Sequence, residues 1–497
     1  MKRPDIILIM SDQHNPHITG YEGNGIVRTP NLDALAEEGV SFSNMYCPSP
    51  LCVPSRSSFL TGQYPSDINI YNNASILSSA IPTFAHSLSA AGYETVLCGR
   101  MHFDGPDQFH GFEKRVYGDC NLFLTEETNG RYFSTCGQNK YAVQVSGAGK
   151  AGYEAFDRNV TQKACEFLSE RKDERPLCMV VGYVLPHNPL IIDQELYDYY
   201  YEKLTEENMP SQEVPKDLHP ALEQWRKNRG VDDISPEHAR RALAAYYGLV
   251  EAMDMNIGKV IQSVKGGQNS ENTVIIYCSD HGDCAGEHGL WWKSNYYEGS
   301  ARVPLIISCP SAFEKGKHAK EVSSLIDLTE TLTDLAGAEK LPYSEGRSLR
   351  SFLEKGASFD DWKNEAYSEY SGAYGEKPSC MIRSGKWKLM YYSEFDSSLL
   401  FDMEDDPGEL NDLAGESEYA ELVCELEAKI KSRWNSDMVA QGDARDLAHR
   451  PFIGKCGREF NPCEIVYDKA VETDNSFDKT QIPDWEKIYT EAENNAK

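Results

Sequence analysis

The sequence predicts an α/β protein. It would carry a mostly parallel sheet with helices on both faces, then a small C-terminal antiparallel sheet with a helix. Three observations predict this. Short apolar runs of strand length recur through the first two thirds of the chain, and they are continuous rather than alternating, as strands covered on both faces require. Longer stretches with apolar residues at helical spacing separate them. After about residue 370 the pattern changes to short strand-like segments joined by tight turns.

The strand candidates are Asp5–Met10, Thr95–Cys98, Leu177–Val184, Thr273–Cys278 and Val303–Ser308. The helix candidates are Asn31–Glu38 after a Thr-Pro corner, Pro82–Ala91 ending at Gly92, Asp157–Arg171, Pro236–Val264 and Ile326–Ala336. Strands alternating with helices favour a parallel sheet. Farther on, "MIRSGKWKLMYY" and "SLLFDMEDDPGEL" read as strands joined by Ser-Gly and Asp-Pro-Gly turns, and Glu418–Trp434 as one amphipathic helix. From about residue 441 the chain is rich in Asp, Asn, Pro and Gly. It reads as an irregular tail that wraps the body or a neighbouring subunit, a route to a homo-oligomer. The expected units are therefore a main α/β domain over 1–370, an α+β subdomain over 371–440 and a tail over 441–497.

A length of 497 residues suits one large domain plus a smaller one, and 40% hydrophobic residues supply a sizeable core. The net charge of −29 argues against nucleic acids and anionic membranes as partners. Lys2 and Arg3 precede an apolar run, but Ile6–Met10 is shorter than the core of a signal peptide. Fourteen cysteines occur without a Cys-x-x-Cys pair, several of them inside apolar runs (Cys98, Cys178, Cys278, Cys309). Free thiols used as small hydrophobes point to a reducing compartment, so a cytoplasmic protein is expected.

Ligands of open α/β sheets gather outside the carboxyl ends of the strands. Four strand candidates end in polar or charged residues: Ser11-Asp12-Gln13, Gly99-Arg100-Met101-His102, Pro186-His187-Asn188 and Ser279-Asp280-His281. One such ending is ordinary capping; four together are not. Asp12, Gln13, Asp280 and His281 offer two carboxylates, an amide oxygen and an imidazole. That set suits a divalent cation, Ca²⁺, Mg²⁺ or Mn²⁺, with the imidazole leaning toward a transition metal; Ca²⁺ is the first expectation. Arg56, Arg100, His102, His187 and Lys293 are cationic candidates, which imply an anionic substrate. Plainer readings stand beside these: His187 as a rigid loop residue between prolines, Lys293 as a surface lysine beside Trp291 and Trp292. His14, His17 and His288 read as supporting residues, and Asp283, Glu287 and Glu298 as braces of their turns.

The stretch "CPSPLCVPSRSSFLTG" contains Cys52-Val53-Pro54-Ser55-Arg56, which resembles the Cys-x-Pro-Ser/Ala-Arg signature of the type I sulfatases. Gly99–His102 approximates the family's Gly-Lys-x-His, Gly286–Ile307 resembles its lysine-bearing segment, and Leu400–Ala414 its C-terminal turn. The resemblance runs over about residues 4–415 and implies an alkaline phosphatase-like fold and hydrolysis of sulfate esters. It implies that a maturation enzyme converts Cys52 to formylglycine, whose hydrate attacks sulfur with one hydroxyl and expels sulfate through the other. Pro54 and Ser55 would start the helix behind it.

The resemblance also assigns roles. Asp12, Gln13, Asp280 and His281 would bind the metal. Arg56 would hold the aldehyde hydrate, and Arg100 and His102 would bind and deprotonate it. His187 and Lys293 would bind sulfate and assist the leaving oxygen. The Asp-Gln and Asp-His pairs are similar to those of choline sulfatases and phosphonate monoester hydrolases. Hydrolysis of a small sulfated sugar, aryl or choline-like ester is therefore the first expectation. Phosphonate monoester or phosphodiester hydrolysis is the second, and a catalytically silent binding protein the third. The site is expected in a surface cleft, with loops such as Asn121–Gly152 and Tyr197–Asp233 shaping the pocket.

Overall fold

Strand β1 (Asp5–Asp12) has the sequence DIILIMSD, and every residue in it is buried. A strand buried throughout must lie at the centre of a sheet covered on both sides. The computed structural model, which describes residues 3–105, 107–120, 135–205, 207–357, 360–372, 375–459 and 476–477, places it there. The other strands of this sheet are β2 (Val40–Phe42), β3 (Glu94–Gly99), β4 (Lys114–Tyr117), β5 (Leu177–Pro186), β6 (Thr273–Ser279), β7 (Leu305–Ser308) and β8 (Lys317–Ala319). Their spatial order is β8-β2-β7-β6-β1-β5-β3-β4. All run parallel except β7, which is antiparallel to both neighbours.

The helices are α1 (Pro30–Glu37), α2 (Cys52–Thr61), α3 (Phe84–Ala90), α4 (Gly152–Glu170), α5 (Gln194–Lys203), α6 (Pro220–Arg229), α7 (Pro236–Lys265) and α8 (Leu325–Ala336), together with shorter turns. Side chains alternate across a strand, so β1 feeds two cores. Ile7 and Ile9 pack with Leu32 of α1, Phe156 and Val160 of α4, and Leu249 and Met253 of α7. Ile6, Leu8 and Met10 pack on the other face with Phe59 of α2, Phe84 of α3 and Leu328 of α8. The mostly parallel, doubly covered sheet expected from the sequence is what forms.

Strands β9 (Glu365–Tyr370), β10 (Ser379–Ser384), β11 (Trp387–Tyr392) and β12 (Ser397–Asp402) make an antiparallel meander, as expected. Helix α9 (Ala420–Arg433) packs on it through Leu426 and Ile430. Two readings change. The small sheet begins with β9, ahead of residue 371. The first part of the tail is not irregular: helix α10 (Ser436–Glu459) runs through it. Its apolar residues lack the periodicity that would have revealed it, and the helix runs on past Pro451. The rest of the tail, apart from residues 476–477, lies outside the described residues, as do residues 121–134 of the first pocket loop. No helix among the described residues is long and apolar enough to cross a membrane.

Candidate active site

Strand register assembles the site. β1 and β6 run parallel with Ser11 opposite Ser279, so Asp12 and Asp280, one residue on, emerge side by side. On the other flank of β1 the register slips between Met10, opposite Gly182, and Asp12, opposite Pro186. The extra residues of β5 bring His187 to the same edge. β3 ends with Gly99 opposite Gly182. A side chain at Gly182 would meet the Arg100 carbonyl oxygen at 1.7 Å, so only glycine lets Arg100 cross there.

Helix α2 enters this edge N-terminus first. It begins at Cys52 rather than at Pro54, with extended Leu51 as its cap and the Asn73 side chain accepting the Val53 N–H at 3.0 Å. The thiol therefore sits at the positive end of a helix. Its Sγ lies 3.2 Å from His281 Nε2, 3.7 Å from Asp12 Oδ1 and 3.0 Å from Lys293 Nζ. Burial and Asp12 push the thiol up, but Lys293 and His281 outweigh them and hold it below its ordinary range. Cys52 is 1% exposed, and Asp12, Asp280 and His281 are fully covered. These groups are buried behind the strand ends, with half-buried His102 beside them.

Two guanidiniums neutralise the carboxylates. Arg56 Nε donates to Asp280 Oδ2 at 2.8 Å, and its Nη2 to Asp12 Oδ2 at 3.2 Å. Arg100 Nε donates to the same Asp12 oxygen at 2.6 Å. Burial alone would raise Asp12, yet Arg100, Lys293, His187 and Arg56 hold it well below the usual carboxylate range. His102, with φ of 60°, places Nδ1 2.9 Å from Arg100 Nη2. Burial and that guanidinium keep its imidazole neutral. His187 is held neutral by burial, Lys293 and Arg100, and its Nδ1–H donates to the Asn188 carbonyl at 2.6 Å, leaving Nε2 free of hydrogen.

The donor set fits a divalent cation. One ligand atom each from Asp12, Cys52, Asp280 and His281 lie within 4.8 Å of one another. His281 Nδ1 faces the Gly282 carbonyl at 3.0 Å, which can only accept, so the ring carries its hydrogen there and offers the Nε2 lone pair. Gln13, with φ of 69°, has a buried Oε1 without a hydrogen-bond partner among the described residues. Hard oxygens and one imidazole are what such a cation takes.

All ten residues singled out from the sequence therefore converge on one edge of the sheet. Several partners had no sequence signal. Asp119 accepts the backbone N–H groups of Met101 and His102 at 3.1 and 2.8 Å and faces Arg100 at 3.6 Å. Tyr246 of α7 donates to the Gln13 carbonyl at 2.7 Å. Asn73 likewise belongs to a segment that the sequence presents as an ordinary loop. The supporting readings hold in outline: His14, held near 4 by burial, contacts the Tyr277 hydroxyl at 2.6 Å, and His288 stacks on Tyr297.

Comparison with known proteins agrees. The sulfatase family profile matches residues 4–338, and that of the C-terminal region of N-sulphoglucosamine sulphohydrolase matches 286–436. A choline-sulfatase of Rhizobium meliloti (strain 1021) is 37% identical over 83% of this chain and 82% of its own length. An arylsulfatase of Clostridium perfringens (strain 13 / Type A) is 30% identical over 88% and 98%. The fold is shared with a phosphonate monoester hydrolase of Agrobacterium radiobacter, with a TM-score of 0.70, 22% identity, and coverage of 88% of this chain and 96% of that one. Taken with the buried cysteine at the head of α2, these matches establish that the chain belongs to the sulfatase family of hydrolases.

Proposed function

We propose that this sulfatase releases inorganic sulfate from a small organic ester, a sulfated sugar, an aryl sulfate or a choline-like ester. Cys52 would act after conversion to formylglycine by a maturation enzyme. The cation would be held by Asp12, Gln13, Asp280 and His281, with Ca²⁺ the first candidate. The observation that carries the reading is the Cys52 thiol: it heads a helix, touches Lys293 and His281, and lies within the ring of Arg56 and Arg100.

The converted side chain would supply a hydrated aldehyde as nucleophile, and the cation would add positive charge beside it. The chain's own residues do the rest. Arg56 fixes Asp12 and Asp280 side by side, so neither is free to swing toward the anionic ester. Lys293 and Arg100 balance the charge of the sulfate. His102 is neutral, and because its Nδ1 accepts from Arg100 Nη2 its hydrogen lies on Nε2, so it takes a proton from a hydroxyl at residue 52 only once Nδ1 leaves that bond. His187 is neutral at rest, with Nε2 as its acceptor. A bound anion offsets Lys293 and Arg100 and raises His187 toward the protonated form that a leaving-group acid needs.

A second reading, hydrolysis of a phosphonate monoester by the same residues, draws on the shared fold and the Asp-Gln pair. Parallel kinetics on an aryl sulfate and an aryl phosphonate separate the two; a higher kcat/KM on the phosphonate would replace the first reading by the second. Peptide mass analysis across Cys52 in protein from its native host tests the conversion. An unmodified, inactive cysteine would leave only a silent binding protein. The reducing, cytoplasmic setting is proposed from the free thiols: every cysteine whose side chain is described is unpaired.

A further inference from the structure

A glutamine is an awkward metal ligand. Its amide carries an oxygen that can bind a cation and an NH₂ that cannot, and a half-turn exchanges them. Something must select the oxygen. Here Gln13 Nε2 donates to Asp283 Oδ2 at 2.7 Å and meets Asn188 Oδ1 at 3.3 Å. Both are acceptors. After a half-turn, Oε1 would face two acceptor oxygens and no donor, so a single orientation survives.

Each acceptor is itself fixed. Asn188 Nδ2 donates to the carbonyls of Thr135 and Gly137 at 2.9 and 3.2 Å, so its Oδ1 must be the atom turned to Gln13. Asp283 Oδ1 accepts the N–H groups of Ala285 and Trp292, both at 2.8 Å, which leaves Oδ2 for Gln13. The Gln13 backbone is clamped as well. Its N–H points at Asp280 Oδ1 at 3.2 Å, and its carbonyl takes the Tyr246 hydroxyl. The one polar atom of Gln13 without a partner among the described residues is Oε1, and it is buried.

We infer that Asp283 is a positioning residue for the cation: with Asn188, it locks the Gln13 amide so that oxygen, not NH₂, is offered to the metal. This goes beyond the bracing role that its sequence position suggests, and it rests on the reading of Asp12, Gln13, Asp280 and His281 as the metal ligands. Through Trp292, the same carboxylate also ties the segment carrying Lys293 to the Gln13 ligand.

A charge relocation tests it. In Asp283→Asn the amide oxygen stays on the Ala285 and Trp292 N–H groups, so its NH₂ confronts Gln13. Gln13 then turns its oxygen to that donor, and the cation loses a ligand. In Gln13→Glu alone, two carboxylates are pressed together. In the double variant Gln13→Glu/Asp283→Asn, the carboxylate accepts from the new amide with one oxygen and keeps the other for the metal, at unchanged total charge.

The measurement is calorimetric titration of chelator-stripped protein with Ca²⁺, Mn²⁺ and Mg²⁺, with circular dichroism as the control for folding. Asp283→Asn is expected to weaken binding by about 10–100-fold, the usual effect of losing an outer partner of a ligand. In the Gln13→Glu background the same substitution is expected to strengthen it. That reversal of sign is something a purely structural brace does not produce. If Asp283→Asn leaves affinity unchanged, or weakens it in both backgrounds, the inference is overturned. If Asp283→Asn alone does not fold, comparing Gln13→Glu with the double variant still reads the sign. Absence of binding by the unsubstituted protein would instead overturn the metal reading, and this inference with it.

Discussion

Lys293 and Lys388 are both buried lysines facing carboxylates, and they sit in regions built differently. Lys388 of β11 lies at the junction between the main body and the small sheet. Its Nζ is 2.7 Å from Glu298 Oε1 and 2.7 Å from Glu409 Oε1. Glu298 also takes the Tyr46 hydroxyl at 2.9 Å and faces Arg302 at 3.2 Å, and its own N–H donates to Glu409 at 2.7 Å. These charges face one another. Lys293 is also buried, but its nearest partner is a thiol at 3.0 Å, with Asp12 farther off at 3.8 Å. Beside it Gln13 keeps an oxygen with no partner among the described residues. Burial of charge is common to both regions; what differs is the lysine's partner, a pair of carboxylates in one and a thiol in the other. A closed cluster fixes how two units meet, whereas an open one waits for a ligand.

The comparison breaks first at Cys52. Cys52→Ala should reduce sulfate release to background while leaving thermal unfolding within a few degrees of the parent, since a small buried side chain is all that is lost. Turnover equal to the parent would remove Cys52 from the chemistry. Next in size is the acid side of the open cluster. His187→Ala should lower kcat by about 10²–10⁴-fold, more for alkyl esters than for activated aryl sulfates. An equal loss on both would deny it a role at the leaving oxygen.

The closed cluster should respond in stability rather than rate. Lys388→Met leaves Glu298 and Glu409 buried without their cation. It should cost about 3–5 kcal/mol in denaturant unfolding, with KM unchanged in the folded fraction. Lys293→Met should show the opposite pattern, with turnover lost and the unfolding midpoint little moved. If the two variants behave alike, the distinction between open and closed clusters fails.

The difference also explains what the sequence could show. The ends of β1 and β6 were legible because a strand buried on both faces is a continuous apolar run, and whatever follows it must lie at the sheet edge. Asp12, Gln13, Asp280 and His281 could be found in this way, and Arg100 and His187 by the same rule. Cys52, Arg56 and Lys293 take their roles from motif resemblance instead, since no strand end marks them. Asp119 and Tyr246 were invisible, because each reaches the site through a tertiary contact that no local pattern encodes. Strands β2, β4 and β8, of three or four residues each, were too short to stand out. Glu409 looked like a turn residue, yet its backbone has φ of 52° and its carboxylate closes the Lys388 cluster.

The smallest expected effect concerns Asp119, which links the two kinds of buried charge. It is closed on the protein, through the Met101 and His102 N–H groups, but its partners Arg100 and His102 belong to the open site. Burial alone would raise its carboxyl; Arg100 and Arg115 outweigh that and bring it down to about 2. A carboxylate held below its ordinary range binds its proton less tightly in the folded state than in the unfolded one. Its contribution, about 2–3 kcal/mol by analogy with a single paired aspartate, is complete above about pH 4 and is lost as pH falls toward 2. Asp119→Asn has no such titration. Denaturant midpoints taken between pH 2 and 6 should therefore fall more steeply at the acid end for the parent than for the variant, with the two curves parallel above pH 4. The variant should also lose kcat, because its amide oxygen stays on the Met101 and His102 N–H groups and turns an NH₂ toward Arg100, which loses its carboxylate partner. Parallel curves over the whole range would show that Asp119 is not the ionised partner of Arg100.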